Sequence, residues 1–264
     1  MEKISVSTEL ISVGNDAKTI KGQSDRYLTG VLYIAPNVIG TPGNIATVCP
    51  HASPGCIEAC LYTGGRGAFS NVQIARINRT QLFFNDRFEF MNMLARDIAK
   101  IIRKADEIGF TPAIRLNGTS DLPYEKIKFL EFENIMQAFP GVQFYDYTKS
   151  YKRALEQPYD ITFSRSETNE IEALALLRAG INVSVVFNIG KNSQLPEFWN
   201  GFQVIDGDLN DLRFNDPKPK TPGAPGYVVG LRLKRTISKD NNSGFAVDVE
   251  PAIRYYLPAI VSRL

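Results

Sequence analysis

The stretch 142–188, VQFYDYTKSYKRALEQPYDITFSRSETNEIEALALLRAGINVSVVFN, decides the fold class. It holds three short runs rich in β-branched and aromatic residues, over 142–148, 160–166 and 181–188. Between them lie a helical stretch near Lys152 and a helix over 167–179, which Gly180 is placed to close in a left-handed conformation. Short strands alternating with helices predict parallel neighbours joined by right-handed crossovers.

The alternation continues in both directions. Upstream, 30–36 (GVLYIAP) and 112–117 (PAIRLN) read as buried strands, and 124–138 reads as a helix. Downstream come a turn of helix near Phe198 and strands over 202–207 and 226–233, the last after a loop over 217–225 rich in Pro and Lys. Two further helices carry start signals. Ser70 with Gln73 fits a capping box, and Asp86 with Glu89 resembles one. Phe90, Leu94, Ile98, Ile101 and Ala105 recur at helical spacing after Asp86, and Gly109 is placed as the C-terminal cap. Six or seven such strands predict an α/β fold of parallel strands, a (β/α) barrel-like sheet, whole or partial, in a single domain over 1–264. A metal-binding loop is expected within it at about 41–69.

The composition narrows the function classes. With 264 residues, 29.4 kDa and 44% hydrophobic residues, a chain of this size buries roughly 73% of its unfolded surface. That excludes a disulfide-stapled miniprotein and a disordered chain. The 30 Lys+Arg against 28 Asp+Glu leave no broad cationic surface, so nucleic acid is not an expected partner. Arg76, Arg79 and Arg87 read as the solvated face of an amphipathic helix whose other side carries Ile74, Ile77 and Phe84. No apolar run approaches the ~18 residues of a membrane span. Residues 1–13 lack a basic start and a long apolar stretch, so an intracellular protein is the expectation.

The rarest residues carry the functional signal. The three cysteines and the one histidine of the chain all fall between residues 49 and 60: Cys49, His51, Cys56 and Cys60. In a reducing compartment, thiols spaced C-x6-C-x3-C on a Pro/Gly-constrained loop point to a metal. A [4Fe-4S] cluster on three thiolates would leave its fourth iron for substrate, a cofactor or His51. A Cys3His zinc site using His51 is the alternative, and thiols without metal are the third reading. Gly64, Gly65 and Arg66 follow the cysteines and lead to the Ser70 helix, where free amides favour a carboxylate or phosphate of a cofactor. The strands finish polar, with Arg115, Asn117, Asp146, Lys149, Ser164 and Asn188 at or near their C-terminal ends. Ligand sites of parallel sheets and barrels collect there, so these residues are expected to line a pocket for a small-molecule ligand. No spacing marks a Ser-His-Asp triad or an acid/base carboxylate pair.

From Thr29 to Asp97, with TGVLYIAP, ACLYTGGRGAF and NVQIARINRTQLFFNDR, the chain is similar to a family of functionally uncharacterised bacteriophage proteins with a three-cysteine loop. The resemblance implies a phage origin and a place in the cytoplasm of the infected bacterium. A more distant likeness is to radical S-adenosylmethionine enzymes, which carry three cysteines after the first strand of a partial barrel. That likeness implies a [4Fe-4S] enzyme that takes S-adenosylmethionine, although the C-x6-C-x3-C spacing differs from that family's C-x3-C-x2-C. Set against the enzyme is a non-enzymatic phage protein, with a structural zinc or Fe–S knot, that binds a host or viral partner.

Overall fold

The apolar runs of the alternating segments pair side by side. β2 (Tyr27–Leu32), β3 (Thr111–Arg115), β4 (Gln143–Thr148), β5 (Asp160–Ser164) and β6 (Val183–Phe187) lie in sequence order, each parallel to the next. β9 (Val228–Arg232) pairs parallel with β6, and β8 (Phe202–Asp206) parallel with β9. Antiparallel strands bound the sheet: β1 (Ile11–Val13) beside β2 and β7 (Phe198–Trp199) beside β8. The order is β1-β2-β3-β4-β5-β6-β9-β8-β7. This is the arrangement in a computed structural model that describes residues 9–13, 20–234 and 243–249. The two ends of the expected domain, at residues 1 and 264, lie outside the described residues. Among those residues no pairing joins β1 to β7, so the sheet is open and mostly parallel, and the ring of a closed barrel is not formed.

Two helix groups cover one face. α1 (Pro54–Glu58), α2 (Ser70–Asn85) and α3 (Arg87–Glu107) lie between β2 and β3, and α4 (Ile135–Ala138), α5 (Tyr151–Glu156) and α6 (Glu170–Arg178) follow between later strands. Phe90, Leu94, Ile98 and Ile101 of α3 share one core with Leu28, Leu32, Ile114 and Phe144. Ala173, Leu176 and Leu177 of α6 share another with Phe163, Val183, Val185 and Phe187. Strand side chains alternate between faces, so these residues send their neighbours Tyr27, Arg115, Tyr145, Tyr147, Ser164 and Ser184 to the opposite side.

A loop leaving β8 fills that side. The ring of Phe214 stands edge-on to Tyr27 at 4.9 Å and to Tyr145 at 5.3 Å. Asp211 accepts hydrogen bonds from Arg115 Nη1 at 3.1 Å and from the Tyr145 hydroxyl at 3.2 Å. β8 is six positions from β2 in the sheet, roughly 29 Å if the sheet were flat. The eight residues from Asp206 to Phe214 extend at most about 29 Å, less with the turn of 3-10 helix that begins at Arg213, and Lys21 Nζ, ahead of β2, donates to Asp208 O, just after β8, at 3.0 Å. The sheet therefore curls around this segment.

Several expected elements differ. The helix over 124–138 is broken into a 3-10 turn, Tyr124–Lys126, and the short α4. Between them Leu130 is left-handed (φ 51°) and Phe129 pairs with Phe132, which buries Phe129. The turn of helix near Phe198 is a hairpin: Asn200 and Gly201 both have positive φ, 49° and 81°, between β7 and β8. Asn-Gly at a two-residue loop is the preferred hairpin sequence. Ser70 is the first helical residue rather than a cap, since Phe69 holds the cap position without a side-chain hydrogen bond. Asp86 does cap α3, its Oδ1 accepting from Glu89 N at 2.9 Å, and Gly109 follows with φ 67°.

Candidate functional site

The cysteine segment leaves β2 at the C-terminal end of the parallel strands and is tied down in three places. Val48 N donates to Asn37 O (2.9 Å), and Asp121 N, beyond β3, donates to Val48 O (2.8 Å). Next to Val48, the Cys49 Sγ accepts from Asn37 N at 3.3 Å and donates to Thr119 O at 3.6 Å. Ser53 then caps α1. Its hydroxyl accepts from Cys56 N (3.2 Å) and donates to Glu167 Oε2 (2.8 Å), while Glu167 Oε1 accepts from Gly55 N (2.7 Å). A Cβ at Gly55 would lie 2.8 Å from that Glu167 carboxylate, so glycine lets α1 dock on the segment after β5. Cys60 follows α1 and opens the 3-10 turn Leu61–Thr63.

These anchors bring Cys49, Cys56 and Cys60 to one cleft of about 260 Å³, just below the size of a drug-like ligand site. Its floor is the inward face of the sheet at the strand ends, with Arg115 of β3, Lys149 after β4, Ser164 of β5 and Ser184 of β6. Burial pushes all three thiols up. Cys49 reaches about 12, against the lowering effect of the Asn37 amide and with Cys60 and Cys56 adding to the rise. Lys149 lies close enough to favour the Cys56 thiolate, and burial pulls its own ammonium down.

Arg76 of α2 stands behind the cysteines. Its guanidinium lies 4.7 Å from the Tyr33 ring and 5.8 Å from the Tyr62 ring, and its charge favours the Cys60 thiolate. The residue is 8% exposed, and its Nε and Nη1 have no hydrogen-bond partner. The expected solvated arginine face is therefore reversed at this position. Arg76, Thr80 and Phe83 form the buried stripe of α2, while Ile74 is 57% exposed. Arg79 donates to Tyr33 O and Glu9 O, and Arg87 stacks on Phe83 at 4.3 Å.

The structure brings some of the sequence-selected residues together and separates others. Arg115, Asn117, Lys149 and Ser164 line the cleft with the three cysteines. Asp146 is fully buried on the helix-facing side of β4, because the pleat turns it away from Tyr147. There it accepts from Asn117 N (2.8 Å), Asn117 Nδ2 (3.1 Å) and the Tyr159 hydroxyl (3.0 Å). Asn188 is exposed beyond β6 and donates to Asp248. His51 is exposed and outside the lining.

Gly64, Gly65 and Arg66 also lie outside the lining. Gly65 is left-handed (φ 54°), and Gly67 passes so close to the Leu61 and Tyr62 carbonyls that a Cβ would lie 2.6 Å and 2.8 Å from them. The glycine run thus turns the chain into α2. Among the described residues, no three His, Cys, Asp or Glu side chains are grouped to hold a single metal ion, and no helix is long and apolar enough to cross a membrane.

Asp121 and Tyr33 also line the cleft and carry no sequence signal. Asp121 accepts from Lys149 N (3.0 Å), the Thr148 hydroxyl (2.7 Å) and Arg153 Nη1 (2.6 Å), which holds the turn after β4. Ser184 was readable as the inward neighbour of Val183 and Val185.

The family model described as Gene product 88 matches residues 9–248. The chain belongs to the Gene product 88 family. The match spans the cysteine segment, the nine strands among the described residues and the residues that line the cleft. Membership in Gene product 88 supports the phage-protein part of the resemblance drawn from residues 29–97, and it carries nothing on S-adenosylmethionine. Neither the curated proteins nor the solved structures gave a match.

Proposed function

We propose that this Gene product 88 protein is an Fe–S enzyme of the infected bacterial cytoplasm. Cys49, Cys56 and Cys60 would hold a [4Fe-4S] cluster at the mouth of the cleft. The observation that carries the reading is the convergence of three thiols, each fixed by a different local structure, on one cleft at the strand ends. Their surroundings fit a loaded site better than free thiols. Burial raises all three thiols, Cys60 and Cys56 raise Cys49 further and Cys56 raises Cys60, and a cationic centre removes that cost by binding them as thiolates. The buried Arg76 guanidinium has two N–H groups without an acceptor beside Cys60, and anionic sulfur would supply one. When bound, such a cluster would supply Lewis acidity or an electron at its open iron.

The chain's own residues do the remaining work. Asp121 holds the turn that carries Lys149, and the Arg115–Asp211 pair fixes the cleft floor. A small molecule, with S-adenosylmethionine as one candidate, would bind between that floor and the cysteines. Anaerobic purification and reconstitution, followed by iron and sulfide assays and visible absorption, test the reading. About four irons and four sulfides per chain, lost in Cys49→Ser, Cys56→Ser and Cys60→Ser, are expected. A colourless protein without iron overturns it. Stoichiometric zinc in its place would favour a structural knot in a non-enzymatic partner-binding protein.

A further inference from the structure

The cations that line the cleft differ in how they are balanced. Arg115 is paired with Asp211 at 3.1 Å, and Arg232 with Asp206 at 2.9 Å and Asp208 at 3.2 Å. Lys234 is exposed at the rim. Lys149 is half-buried, and its Nζ donates to Ser164, to the hydroxyl at 2.8 Å and the carbonyl at 3.4 Å, with the Phe245 ring 5.2 Å away. Among the described residues no carboxylate lies within ion-pair distance of it. An ammonium held out of bulk water with no carboxylate in direct contact is costly, and three donors leave it with capacity beyond Ser164. The Ser164 hydroxyl accepts from Lys149, so its own proton is free to be donated alongside. Two adjacent donors, one of them charged, thus face the cleft next to the cysteines.

We infer that Lys149 and Ser164 form the anchor for an anionic group, a carboxylate or a phosphate, of the small molecule that enters this cleft. The inference rests on the reading of the cleft as a ligand site, and it holds whether or not a cluster is present. The ammonium supplies the charge and the hydroxyl a second hydrogen bond, which together hold one oxyanion at the end of β4 and β5. The rest of the ligand then points toward the cysteines.

Calorimetric titration with inorganic phosphate and with acetate tests this, on iron-free protein and on anaerobically reconstituted protein. Saturable binding of at least one probe is expected, and the tighter of the two tells phosphate from carboxylate. Lys149→Met should weaken it about tenfold or more, the loss of one charge-assisted hydrogen bond. Lys152→Met, an exposed lysine of α5, should leave it unchanged. If Lys149→Met does not fold, Ser164→Ala decides: a loss of about threefold or more supports the anchor, and wild-type affinity overturns it. Absence of saturable binding by folded wild-type protein also overturns it, as does wild-type affinity in Lys149→Met. Phosphate and acetate binding that vanishes on reconstitution would make Lys149 the counter-ion of the cluster and overturn it too. Anion binding by a protein that never takes up iron would keep the anchor and sink the Fe–S reading alone.

Discussion

Burial lifts the Asp146 carboxyl to about 6, although Arg115, Asn117 and Tyr159 all favour its charged form. The folded value lies above the unfolded 3.8, so the native state holds its proton more tightly. The resulting stabilisation is fully present below about pH 4. It is lost as pH rises from about 4 to 6, by an amount on the order of 2–3 kcal/mol, and stability is flat above that. Asp146→Asn should flatten this slope, as read from denaturation midpoints between pH 4 and 7, and an unchanged slope would refute the assignment. At the same scale, each cysteine should be indispensable. Any single Cys→Ser change is expected to reduce reconstituted iron to a small fraction of the wild-type content, and a variant that keeps full iron would remove that residue from the ligand set.

Between elements, the decisive contact is the tight passage of Gly67 over the Leu61 and Tyr62 carbonyls. Backbone cannot yield there as a side chain would. Gly67→Ala should therefore lower stability by about 2 kcal/mol or more and shift the turn that carries Cys60, with a loss of iron uptake. Gly141→Ala, with open space around the added carbon, is the control, and equal melting temperatures for the two variants would reject the argument.

The sequence was legible wherever one period ruled. α3 shows its cap at Asp86 and its apolar stripe, and β3 to β6 show their apolar runs and polar ends. It was illegible where the deciding contact was distant. Arg76 looks solvated beside Arg79 and Asn78, and only the stacking of Tyr33 and Tyr62 makes it a buried group. Asp146 and Lys149 look equivalent at one strand end, yet the pleat sends them to opposite sides of the sheet. Asn200-Gly201 is a hairpin signal in the sequence, and the expectation of a helical turn near Phe198 took no account of it.

For the whole molecule, the segment between β8 and β9 joins the two halves of the curled sheet. Asp211, 6% exposed, bonds both Arg115 and Tyr145. Asp211→Ala takes from the buried Arg115 its nearer carboxylate, leaving Asp146 at 3.9 Å, and should cost about 3 kcal/mol in urea denaturation. Adding Arg115→Met should recover part of that, because no guanidinium is then buried without its Asp211 partner, although Asp146 loses a favourable cation. A single variant within about 1 kcal/mol of wild type would mean that the segment does not hold the sheet curled. The place of β9 has a further consequence, for synthesis. β9 leaves the ribosome after β8, yet it lies between β8 and β6. Until residues 228–232 emerge, β6 and β8 each present a bare parallel edge, so the nascent chain must keep a slot open for its last central strand. A pause in translation just after β8 is where this protein is most exposed to pairing with a neighbouring chain.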